Sequence, residues 1–167
     1  MRAPVKSGRA ENLSLLPAFS IDGYIAMAVY RGGVNAELYE EFVRSQVLPK
    51  CTPWPGPRSV IVMDNCKIHH ETVFSMLNVF NCQETTNVKE LIENAGCKCE
   101  FLPPYSPDFN PVEYTFSVIK QHFKQDYGIT GDENITELAE KAIKVAKEVV
   151  TSEMAMNQFR HCRIQVE

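Results

Sequence analysis

Apolar positions along the chain fall into two short runs at the start, isolated runs in the middle and helical stripes at the end. Residues 13–19 and 24–30 are mainly apolar and are separated by Ser20-Ile21-Asp22-Gly23, in which Asp22-Gly23 is a tight-turn signal, so the pattern predicts an antiparallel hairpin. Arg31-Gly32-Gly33 breaks the pattern, and Asn35 can cap a helix over 36–47 whose apolar face includes Leu38, Phe42 and Val47. The prolines of Thr52-Pro53-Trp54-Pro55-Gly56-Pro57 make a loop. Ser59-Val60-Ile61-Val62-Met63-Asp64 is nearly continuous, β-branched and closed by a carboxylate, which predicts a central strand buried on both faces.

Beyond it, 88–95 predicts a helix stopped at Gly96, and 97–102 a strand ended by Pro103-Pro104. Asn110-Pro111 predicts the start of another helix, with asparagine as the cap, proline at the first position and Glu113 at the third. Val112, Phe116, Ile119 and Phe123 mark its buried stripe. An amphipathic helix over 135–150, with Leu138, Ala142, Ile143 and Val149 on its apolar side, and a short one over 153–161 finish the chain. Strands first, then strand and helix in alternation, then helices, predict an α/β sandwich with a mixed sheet. Residues 1–11, polar and basic, read as an extended arm before a single domain over 12–167.

Composition changes this picture little. With 167 residues, 44% of them hydrophobic, the chain fits one domain with a core, and no apolar stretch is long enough to cross a bilayer. A net charge of -4 does not advertise nucleic-acid binding, although an acidic nuclease core can hold cations and leave DNA to a separate basic module. Basic residues are local: Arg2, Lys6 and Arg9; Lys120 and Lys124; Arg160 and Arg163. The six cysteines lack the paired spacing of structural zinc and read as reduced thiols, with Cys97 and Cys99 on one face of a strand.

Two carboxylates stand out by position. Asp64 closes an apolar strand, at the edge where open α/β sheets place ligands, and Glu113 sits in a helix's first turn behind a proline-rich lead-in that has little freedom to lose on folding. If they meet, they make a pair of hard oxygen ligands for magnesium or manganese. Taken singly, Asp64 is also explained as a solvated strand end or cap, and Glu113 as a charge favoured by the helix dipole.

Val60-Ile61-Val62-Met63-Asp64-Asn65 with Ile68-His69-His70, followed by Leu102-Pro103-Pro104-Tyr105-Ser106-Pro107-Asp108-Phe109-Asn110-Pro111-Val112-Glu113, resembles the second and third blocks of mariner-like DDE transposases. Weaker similarity runs through Ser20-Ile21-Asp22-Gly23, Gly33-Val34-Asn35 and Phe159-Arg160-His161-Cys162, so most of the chain is covered. The resemblance implies a ribonuclease H-like mixed sheet flanked by helices. In that family three acids hold two divalent ions, Mg2+ or Mn2+, that cleave and transfer DNA strands by in-line displacement. By resemblance Asp64 is the second acid and Glu113 the third, with Asn65, His69 and Asn110 in support and Lys120, Lys124 and Tyr105 towards DNA. It also implies nuclear residence and admits a homodimer.

Two departures qualify it. The family's leading acid lies on a strand before the hairpin, and this chain begins at Met1-Arg2-Ala3-Pro4, after that strand, so the first strand and its acid are expected to be missing and catalysis impaired. Asp22 belongs to a turn expected to point away from the metal edge. The spacing between Asp64 and Glu113 is longer than the family's, and removing 74–87 restores it, which predicts an inserted loop or a translated intron. The rival reading is a decayed or host-adopted fragment that binds nucleic acid or protein without catalysis.

Overall fold

The computed structural model describes residues 13–64, 85–104, 106–115, 118–119 and 134–164. The hairpin forms as the apolar runs predict. Strand β1 (Leu13–Ser20) pairs antiparallel with β2 (Gly23–Arg31), with a register shift between Ala18 and Phe19. Gly23 adopts φ +103° just after the turn, a conformation that costs glycine nothing. The Ser20 hydroxyl accepts from the Asp22 N–H at 3.1 Å and closes the turn from within.

Alternation from Ala26 to Val29 divides the side chains of β2 between two cores, and the register shift opposite Ala18 and Phe19 moves Tyr24 to the side of Met27 and Val29. Tyr24, Met27 and Val29 join Val112, Ile119, Ala142, Val145, Ala146 and Val150 on one face. Ala26 and Ala28, with Leu16 of β1, face Phe42, Val43, Val47, Met63, Val88, Ile92 and Cys97 on the other. One helical layer therefore covers each face of the hairpin.

The predicted helix over 36–47 is helical throughout, but its hydrogen-bond ladder changes along the way. Helix α1 (Ala36–Phe42), capped by the Asn35 side chain accepting from the Leu38 N–H at 2.9 Å, widens into a π turn (Val43–Val47) and tightens into a 3-10 turn (Leu48–Lys50). The widened turn keeps Phe42, Val43 and Val47 together in the second core.

Strand β3 (Val60–Met63) pairs in parallel with β4 (Lys98–Phe101), and among the described residues this ribbon and the hairpin are separate two-stranded sheets. Here one expectation fails. Val60 is 40% and Val62 51% exposed, so β3 is buried on the face that carries Met63 and open on the other. A continuous apolar run says nothing of which layers arrive to cover it.

Helix α2 (Thr85–Asn94) begins ahead of the predicted 88 and includes the last residues of the 74–87 stretch, whose remainder lies outside the described residues, as does the 1–11 arm. It ends as Gly96 predicts: Gly96 takes φ +79°, its N–H donates to the Glu93 carbonyl at 2.9 Å, and the Cys97 N–H donates to Ile92 at 3.1 Å. These two bonds form a Schellman closure that turns the chain directly into β4.

Beyond β4, helix α3 is described over 111–115 and 118–119. Helix α4 (Ile135–Val149), capped by Asn134, lies along β2, with Ala142 and Ala146 wholly buried. Helix α5 (Ser152–His161) is capped by Thr151, and its Ser152 hydroxyl donates to the Asp22 carbonyl at 3.2 Å, bringing its start to the hairpin turn. The result is a mixed α/β fold consistent with a ribonuclease H-like domain.

Candidate active site

Asp64 stands one residue past β3. The strand's last carbonyl, that of Met63, accepts from the Leu102 N–H at 2.8 Å, so the carboxyl ends of β3 and β4 lie side by side and the proline-rich segment leaves from beside Asp64. Met63 is buried in the second core and fixes the strand end, while Asp64 itself is half-buried. This is the edge at which parallel strands present ligand-binding residues. Asn65, His69 and His70, which follow it in sequence, lie outside the described residues.

Glu113 is set by local geometry that the sequence predicts closely. A 3-10 turn (Pro107–Phe109), closed by the Phe109 N–H donating to Ser106 at 3.1 Å, delivers the chain to Asn110. The Asn110 side-chain oxygen accepts from the Val112 N–H at 3.3 Å and its carbonyl accepts from the Glu113 N–H at 3.2 Å. Asn110 is thus the cap of α3, and Glu113 occupies its first turn, half-buried, where the helix dipole favours a negative charge.

What anchors this helix is a contact that periodicity could not show. The wholly buried Thr115 hydroxyl donates to the Val112 carbonyl at 3.0 Å and lies 2.6 Å from the Tyr24 hydroxyl of β2. With the threonine proton committed to Val112, Tyr24 is the donor to Thr115. Burial pushes the Tyr24 phenol well above its ordinary value, and the nearby Glu113 charge adds to the rise. Tyr114 meets His161 edge-on, with ring centroids 4.9 Å apart, which ties the same turn to α5. The surroundings of Glu113 are therefore those of the first core, whereas Asp64 continues from a residue of the second. Tyr105, Lys120 and Lys124 lie outside the described residues.

Asp22 sits elsewhere. Its carboxylate is 3.4 Å from the Arg58 guanidinium, just ahead of β3, whereas Asp64 follows β3. The Asp22 backbone carbonyl is in turn held by the Ser152 hydroxyl at the start of α5, at 3.2 Å. Arg160 and Arg163 are exposed at the end of α5.

The fold is thus mixed α/β, with one acid at the carboxyl end of a parallel strand and another in the first turn of a later helix. The family model described as DDE superfamily endonuclease matches residues 2–134, and the chain belongs to that family. No curated protein and no solved structure matches the chain.

Proposed function

We propose that the chain is a mariner-like transposase core that cleaves and transfers DNA strands with the help of Mg2+ or Mn2+, and that Asp64 and Glu113 carry the reaction. Family membership supports a transposase-type endonuclease acting on DNA. The observation that carries the residue assignment is the pairing of Met63 with Leu102, which starts the lead-in to Glu113 from the strand end bearing Asp64.

Both acids offer hard oxygen donors, the donor type that Mg2+ and Mn2+ prefer, and both are partly accessible. Among the described residues no group of three or more histidine, cysteine or acidic side chains is assembled, and Asp64 and Glu113 would supply two of the ligands. Bound there, the ions would supply an activated oxygen nucleophile and neutralise the charge of the leaving oxygen. Asn110 holds the turn that presents Glu113, and the Thr115–Tyr24 bond fixes the helix behind it. Joint binding requires the Glu113 side chain to reach from the first-core side towards the end of β3, which makes α3 the element on which the site depends.

The test is nicking of supercoiled DNA in Mg2+ or Mn2+ by the chain, by Asp64→Ala and by Glu113→Gln, alongside Mn2+ binding followed by water relaxation. Both variants should lose nicking and weaken Mn2+ binding. Nicking that survives Asp64→Ala unchanged removes the assignment; tight DNA binding without nicking in any of the three proteins would favour a non-catalytic nucleic-acid-binding module.

A further inference from the structure

Helix α5 lies outside the family-matched residues 2–134, yet it reaches the turn that carries Glu113. Its start is held at the hairpin by the Ser152–Asp22 bond, and Ala155 is wholly buried. Near its end the Phe159 ring stacks on Phe19 of β1, with centroids 5.7 Å apart and planes 23° from parallel. Phe19 in turn leans on Tyr24 of β2 at 4.8 Å, and Tyr24 bonds Thr115 of α3 at 2.6 Å. Tyr114, the next residue back, meets His161 of α5 at 4.9 Å. The contacts therefore form a closed circuit, from α5 through both hairpin strands to α3 and back to α5 two residues further on. His161 is set by the way α5 ends: Arg163 takes φ +60°, its N–H donates to the Arg160 carbonyl at 2.9 Å, and the Ile164 N–H donates to Phe159 at 3.0 Å. This is a Schellman closure, and it fixes the last turn.

A helix held on one side only can still roll about its axis. Successive residues of an α-helix point about 100° apart, so Tyr114 lies between Glu113 and Thr115 around α3. Thr115 alone supplies a pivot; Tyr114 against His161 adds a second stop about 100° away, on the side nearer Glu113. Side-chain tips stand about 5–6 Å from a helix axis, so a roll of about 10° sweeps a tip through about 1 Å. A metal site needs its ligands held to within about 0.5 Å, so a roll of that size is enough to misplace one.

We infer that α5 is a brace that sets the rotation of α3, and that His161 is thereby a positioning residue for Glu113. The consequence for metal binding rests on the reading of Glu113 as a ligand, whereas the brace concerns only how α3 is held. His161 is exposed and Tyr114 half-buried, so removing the imidazole takes away the stop without opening the core. His161→Phe keeps an aromatic ring against Tyr114 and with it the stop.

The experiment compares the parent chain with His161→Ala, His161→Phe, Glu113→Gln and the double variant Glu113→Gln/His161→Ala. Hydrogen–deuterium exchange reads the peptides covering 111–115, and water relaxation reads Mn2+ binding. In His161→Ala, exchange over 111–115 should quicken while that over 142–146 of α4 holds. Mn2+ affinity should fall roughly 10–100-fold, the usual cost of losing a ligand's support, and His161→Phe should restore both. The double variant should bind Mn2+ no more weakly than Glu113→Gln alone, because His161 acts through that residue. Unchanged exchange over 111–115 in His161→Ala overturns the brace. Losses that add in the double variant overturn the positioning role, since a general loss of stability would weaken binding with or without the Glu113 carboxylate. If Glu113→Gln leaves Mn2+ binding untouched while His161→Ala still quickens exchange, the metal assignment falls and the brace stands.

Discussion

The hydroxyl pair between Tyr24 and Thr115 offers a sharp test of how α3 is held. The pair is buried and 2.6 Å long, and it joins residues 91 positions apart in sequence. Because Thr115 donates to Val112, its oxygen serves Tyr24 only as an acceptor. Tyr24→Phe then removes a donor and leaves no buried proton stranded, so it should cost about 1 kcal/mol, the net worth of an ordinary hydrogen bond. Thr115→Val leaves the Tyr24 O–H buried without an acceptor and should cost more, about 1–3 kcal/mol. In the double variant both partners are gone and the stranded donor with them. Its loss should fall below the sum of the singles, with a coupling on the order of 1 kcal/mol. Urea unfolding of the four proteins, followed by tyrosine-independent far-UV circular dichroism, measures the cycle. Strictly additive losses, or a Tyr24→Phe cost larger than that of Thr115→Val, would refute the donor assignment and with it the account of how the helix start is fixed.

Other expectations concern separate elements. Gly96→Ala places a side chain at φ +79° and 3.1 Å from Pro53, and should lower stability by about 1–2 kcal/mol in urea titrations. Asn110→Ala removes the cap of α3 and should cost about 1 kcal/mol, read as a drop in thermal midpoint, while Asn110→Ser should recover most of it. Burial and the neighbouring Glu93 and Glu100 outweigh Lys89 at Cys99 and push its thiol from an ordinary 9.0 up to about 11. A folded state that holds this proton more tightly than the unfolded chain keeps its full stability below pH 9.0 and loses part of it as the pH rises towards 11. Cys99→Ser should therefore show a smaller alkaline loss than the parent chain in stability measurements across that window.

Local signals made most of the framework legible in the sequence. The hairpin, the stop at Gly96, the Asn110 cap and the start of α4 each depend on a residue type whose backbone preference or side-chain oxygen acts within a few positions. The position of Glu113 in a first helical turn was readable for the same reason. The open face of β3 was not, because Val60 and Val62 look the same whether or not a layer covers them. Nor was the π turn after α1, where the ladder yields to packing against the second core. Thr115 and Tyr24 belonged to a helical stretch and an apolar run with nothing to couple them, and their bond exists only through tertiary approach.

Because β2 sends large side chains into one core and alanines into the other, a single strand serves as a party wall between two rooms. Damage on either side is transmitted to the other through its backbone, so the helices α1 and α2 should not melt independently of α4. The amides of 26–29 should accordingly be the slowest of the hairpin to exchange with deuterium, and the whole chain should unfold in one cooperative step.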